Sequence, residues 1–212
     1  MQDSRSSGLG RRTFLQAATV LAWCTVSRSP AAQAPTTAQA AEQLIRATVD
    51  SVFVILRDAE LAKDRQLRMR RLREVVDPVF DWITMATSCL GHHWRKLGDA
   101  ERAEFVRVFK ELLAQRYMDD IDRFRGTEQV VVRGSEKLDA LVRVKTVLIT
   151  SSREQVPMDY SLEEQSAGLK VVDLAIEGVS LVNHYRTTFS RFLVNKPFSE
   201  LLDQLKRKLG IS

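Results

Sequence analysis

Apolar positions recur at helical spacing through the first part of the chain and at strand spacing through much of the second. From 42 to about 57, Ile45, Val49, Val52, Phe53 and Leu56 fall on one stripe of a helix. Asp64 can cap a second helix running to about 76, with Leu67, Leu72, Val75 and Val76 turned inward. Asp77-Pro78 marks a break, since the residue before proline avoids the helical region, and a third helix is expected over 78–89 with Gly91 as its stop. Gly98-Asp99 opens a longer helix to about 124, striped by Phe105, Val108, Phe109, Leu112, Leu113 and Tyr117 and closed by Gly126. Residues 35–41, rich in Ala, Thr, Gln and Pro, read as a flexible leader into the first helix.

The period then changes. Segments 129–133, 141–150, 155–162 and 169–179 are rich in β-branched residues, and the gaps hold Gly134-Ser135, Ser151-Ser152-Arg153 and Ala167-Gly168. Gaps this short imply antiparallel neighbours, so four successive strands make a meander. Two further helices, about 180–194 and 199–209, flank Asn195-Lys196-Pro197. The pattern predicts an α+β domain: a four-stranded antiparallel meander sheet packed with about six helices. Val142, Val144, Thr146 and Leu148 share one face of their strand; Val156, Met158, Tyr160 and Leu162 share one face of the next; Val172, Leu174 and Ile176 share one face of the last. They align as one apolar surface. Periodicity alone leaves open whether the space above it is filled by side chains or hollow.

Composition changes the picture mainly at the N-terminus. Arg5, Arg11 and Arg12 precede an apolar run over 14–26, followed by the small-residue sites Ala32-Gln33-Ala34 and Ala38-Gln39-Ala40. This is the layout of an export signal, its apolar run shorter than the roughly 20 residues of a membrane span. Arg11-Arg12-Thr13-Phe14-Leu15 resembles the twin-arginine export signal. Pro35 after the first small-residue site favours cleavage after Ala40, dividing the chain into a signal peptide over 1–40 and one domain over 41–212, placed in the periplasm. Residues 1–40 carry four arginines and one aspartate, so the net charge falls from +5 to about +2 on cleavage. Cys89 is then the one remaining cysteine, which excludes an internal disulfide.

Reaction chemistry is sparse. His92 and His93, adjacent, diverge by about 100° on a helix and do not share a metal easily, and His184 has no partner nearby in sequence. No nucleophile elbow, phosphate-binding loop or dinucleotide fingerprint is present. The close trio Asp119, Asp120 and Asp122 reads as a solvated helix end. Arg65, Arg68, Arg70, Arg71 and Arg73 form a basic run that reads as a solvated helix face, with an anionic membrane or partner contact as the alternative. A cavity enzyme would need a carboxylate facing the pocket, and Asp159 and Asp173 are the strand candidates for it. Neither a cofactor nor a metal is expected.

Several strings in order carry a resemblance: Phe80-Asp81, then Leu90-Gly91-His92-His93-Trp94-Arg95; Glu101-Arg102 and Phe105; Val144 and Thr146; Pro157-Met158-Asp159-Tyr160; Val172-Asp173, then Ile176-Glu177-Gly178-Val179-Ser180-Leu181-Val182, Tyr185-Arg186 and Phe189. Together they resemble the MlaC family of periplasmic phospholipid-binding proteins, over about 42–209. Gly98-Asp99, where the family usually has Thr/Ser-Pro, and Leu169, where it often has Trp, depart from the pattern. The resemblance implies an apolar lipid cavity between sheet and helices, and a carrier rather than an enzyme. Its cargo would be a phospholipid, or a hopanoid as in some similar proteins. Its partners would be an outer-membrane lipoprotein complex and an inner-membrane ABC transporter, and it would act as a monomer without nucleic acid. The lining implied by the inward strand face and the closing motif is Val142, Val144, Leu148, Met158, Tyr160, Leu174, Ile176, Val179, Tyr185 and Phe189. Each methylene removed from water is worth about 0.8 kcal/mol, so such a carrier binds mainly by burying tails and tolerates different headgroups.

Overall fold

The computed structural model describes residues 36–122, 124 and 126–211. The twin-arginine motif, the apolar run and the first small-residue site therefore lie outside the described residues. No helix among the described residues is long and apolar enough to cross a membrane.

Helix α1 spans Thr37–Arg57, five residues earlier than the sequence pattern placed it. The reason is a capping box: the Thr36 hydroxyl accepts from the Gln39 N–H while the Gln39 side chain accepts from the Thr36 N–H. The stretch expected to be a flexible leader is thus, from Thr36 on, the cap and first turn of a helix. That turn is also anchored: Ala41 is fully buried, and the Ser135 hydroxyl donates toward the Ala38 carbonyl at 3.4 Å and bonds the Glu42 carboxylate at 2.7 Å.

Helix α2, Arg65–Val76, starts on the Asp64 cap as expected. Helix α3, Trp82–Leu90, begins later than expected, on Asp81, whose carboxylate accepts from both the Thr84 N–H and its hydroxyl. The residues after Pro78 pair instead with the sheet: the Asp81 N–H donates to the Val171 carbonyl and the Val171 N–H to the Val79 carbonyl. Gly91, at φ 55°, stops α3, and a 3-10 stretch, Gly91–Lys96, leads to α4, Asp99–Asp122. After the sheet come α5, Leu181–Leu193, capped by the Ser180 hydroxyl, and α6, Phe198–Leu209, ended by left-handed Gly210.

The strands are β1 Gln129–Leu138, β2 Leu141–Ile149, β3 Gln155–Gln165, β4 Gly168–Ile176 and β5 Val179–Ser180, antiparallel and in sequence order. The sheet has five strands and not four. Glu177 and Gly178 both adopt positive φ, 51° and 79°, which is the conformation of a two-residue hairpin turn. The segment expected as one strand over 169–179 therefore folds back, and Val179 pairs with Ile176. Two irregularities also escape simple alternation. An extra residue, Arg133, lengthens β1, and an extra residue, Val172, sits in β4 opposite the step from Ser161 to Leu162. Across that step Leu162 pairs with Val171, which is fully buried, so Val171 and not Val172 carries the inward apolar face.

Two apolar cores result. One joins the sheet to α1 through Ala41, Ile45, Val142, Val144, Leu162 and Val171. The other lies among α3, α4, α5 and α6, around Met85, Phe105, Phe109, Phe189 and Leu202. There, Phe105 meets Phe189 edge-on with ring centroids 5.7 Å apart. On the opposite face of the sheet, Glu136 pairs with Lys145 at 2.8 Å and lies 3.5 Å from Arg143, as expected for a face in water.

Candidate functional site

The inward face of the sheet reads as cross-strand rows. At one end Val142, Leu162 and Val171 stand side by side and are closed over by α1. Next comes Val144, Tyr160 and Leu174, then Thr146, Met158 and Ile176, then Val130, Leu148 and Val156. Val144 is fully buried, and Thr146 is nearly so because its hydroxyl donates to the Met158 carbonyl at 2.7 Å. The other apolar side chains of these last three rows are only half-buried. Leu174 and Ile176 pack toward the helical core, and Tyr160 packs toward the α1 core. Val130, Leu148, Val156 and Met158 belong to neither core among the described residues. Four apolar side chains of the inward face thus lie outside both cores.

Tyr160 stands at the junction. Burial alone pushes its hydroxyl up to about 12, yet the side chain keeps part of its surface accessible and finds no hydrogen-bond partner among the described residues. Burial, and secondarily Tyr117, raises Tyr185 as well; its ring packs edge-on to Phe109 at 5.7 Å.

The residues proposed from the sequence as lining fall into four groups. Val142, Val144 and Phe189 are at most 3% exposed and sit inside the cores. Leu174, Ile176 and Tyr185 border the helical core. Leu148, Met158 and Tyr160 occupy the inward surface between the cores. Val179 is 57% exposed on the short edge strand β5. Val130 and Val132, on the same inward face, were missed. Their alternation was visible in the sequence, but the extra residue Arg133 hides the continuation of the face beyond it.

The acid–base candidates have other occupations. Asp173 accepts from the Ser180 hydroxyl and from the N–H groups of Leu174 and Val182, at 2.9 and 3.1 Å for the two backbone donors. It thereby ties the start of α5 to β4. Asp159 stands on the face opposite Met158 and Tyr160, across from Lys145. No group of three or more His, Cys, Asp and Glu side chains able to hold a metal occurs among the described residues. Cys89 is buried, its thiol pushed up to about 12 chiefly by burial and secondarily by Asp173, so it is no nucleophile at neutral pH. In the basic run, Arg73 makes two hydrogen bonds to Glu111 and Arg71 pairs with Glu74, which neutralises part of the charge.

A family model described as "MlaC: MlaC protein" matches residues 46–207. No curated protein matches the chain. Among solved structures, the fold is similar to that of a phospholipid-binding protein from Ralstonia solanacearum in complex with a phospholipid, with a TM-score of 0.72 and 22% identity over 80% of this chain and 98% of that one.

Proposed function

The chain belongs to the MlaC family, and we propose that it is a periplasmic carrier that holds a phospholipid by its acyl chains and exchanges it between an outer-membrane lipoprotein complex and an inner-membrane ABC transporter. One observation carries this reading: Val130, Leu148, Val156 and Met158 on the inward face are apolar, half-buried and belong to neither core among the described residues. Exposed apolar surface of this continuity is costly in water, at about 25 cal/mol per Å², and acyl chains are the partner it fits. The phospholipid held by the solved relative of the same fold supports the same cargo. In this reading tails lie along Leu148, Met158 and Tyr160.

Vesicle-to-vesicle transfer of a fluorescent phospholipid tests it. With donor and acceptor vesicles kept apart in buffer, the purified chain is expected to raise the transfer rate at least tenfold over protein-free controls. A rate equal to the control contradicts the carrier reading.

The α1 cap bears on where an export signal would be cut. Cleavage after Ala40 would remove Thr36 and Gln39, the two halves of the α1 capping box. Losing such a cap costs about 1 kcal/mol. We therefore place the cut after Ala34, despite Pro35 on its far side. N-terminal sequencing of the exported protein is expected to begin at Pro35, and a first residue of Ala41 contradicts this.

A further inference from the structure

At the Arg57 end of α1, a hollow of about 490 Å³ is lined by Arg57, Gly126, Thr127, Gln129, Ile149, Thr150, Ser151 and Arg153. It lies one residue beyond the last inward row, because Gln129 pairs with Ile149 and the next pair is Val130 with Leu148. Neither arginine is in an ion pair with a carboxylate among the described residues. Arg57 is held by weak neighbours only: its guanidinium lies over the Phe53 ring at 5.0 Å and reaches the Glu128 carbonyl at 3.5 Å. Arg153 sits at φ 68° in the turn between β2 and β3, fixed by its N–H to the Thr150 carbonyl. The neighbouring carboxylate of Glu154 accepts from the Ser152 hydroxyl.

We propose that Arg57 and Arg153 form a docking site for the phosphate of the carried lipid. The inference rests on the carrier reading and deepens it by naming the cargo's polar end. Two planar, permanently charged guanidiniums are the side chains best suited to phosphate oxygens, and Thr127 and Ser151, which carry hydroxyls able to donate, line the same hollow. The C-terminal end of α1 carries partial negative charge, so an anion settles there only if both arginines outweigh it. The site's position beyond the apolar rows suits a molecule whose tails lie inside and whose charge stays at the rim. It also selects phospholipid over a neutral lipid of the same tails and over a hopanoid lacking phosphate.

The test loads the full mature protein from vesicles holding equal amounts of phosphatidylglycerol and diacylglycerol of identical chains. The wild-type chain is expected to take phosphatidylglycerol at least tenfold over diacylglycerol. The double variant Arg57→Gln, Arg153→Gln is expected to bring that ratio to within about twofold while still taking up diacylglycerol. Replacing both arginines with lysine is expected to restore part of the preference. A double glutamine variant with the wild-type ratio overturns the site and leaves the carrier reading standing. Uptake of neither lipid by the wild-type chain overturns both. A melting-temperature rise with inorganic phosphate alone, lost in the double variant and unaccompanied by any lipid preference, assigns the site to the free anion and overturns the lipid assignment.

Discussion

Met158→Asp is expected to empty the protein of lipid, by at least tenfold relative to wild type, while the chain stays folded. Met158 faces inward between Thr146 and Ile176, is half-buried, and contributes to neither apolar core. Its substitution therefore leaves the packing of α1 and of the helical layer intact. A carboxylate there would have to give up water to meet an acyl chain, at a cost of several kcal/mol, and every 1.4 kcal/mol is tenfold in affinity. Without lipid the same carboxylate, only half-buried, stays hydrated. Val144→Asp is the instructive contrast: Val144 is fully buried against α1, so the charge disrupts folding before it can report on lipid. Lipid content per folded protein, with Met158→Leu as the retained-binding control, decides the matter. Wild-type lipid content in Met158→Asp contradicts the placement of the tails.

Asp173→Ala is expected to lower the melting temperature by about 6 to 12 °C, the largest loss among the polar substitutions considered. The carboxylate receives three hydrogen bonds and joins β4 to the first turn of α5, so its removal strands the Leu174 and Val182 N–H groups and the Ser180 hydroxyl at once. Hydrogen bonds lost from a charged acceptor, one of them at the first turn of α5, amount to about 3 kcal/mol, and a domain of this size shifts by roughly 2–4 °C per kcal/mol. Asp173→Asn keeps an acceptor oxygen and is expected to recover much of the loss. Thermal unfolding of the two variants checks this. A change below about 2 °C in Asp173→Ala would mean that the carboxylate is not the tie it is built to be.

Element type was legible in the sequence because apolar period and caps agreed along most of the chain. The stripe Phe105, Val108, Phe109, Leu112 and Leu113 is buried on α4 as its spacing required, and Asp64 caps the helix it was expected to cap. What escaped were features set by one residue of backbone geometry. The extra residues at Arg133 and Val172 leave the alternation looking unbroken while moving the face by one position. The turn at Glu177-Gly178 hides inside an apolar run, and only its positive φ angles make β5 a separate strand. The start of α1 is hidden because Ala, Thr and Gln are as common in leaders as in capped helices, and only the Thr36–Gln39 reciprocity distinguishes the two. At the site, strand alternation gives the face on which Leu148, Met158 and Tyr160 stand, but not which members of that face are sealed by a neighbouring helix. Val142 and Val144 differ from Leu148 and Met158 only in what α1 covers, a long-range relation that no local pattern encodes.

The central claim is that the inward sheet surface between the two cores is completed by hydrocarbon. Its most direct test is quantitative mass spectrometry of an organic extract from the mature protein, purified in detergent-free buffer and then incubated with phospholipid vesicles. The account predicts a single diacyl phospholipid retained per folded chain. Folded protein that yields no lipid, before or after incubation, would contradict it.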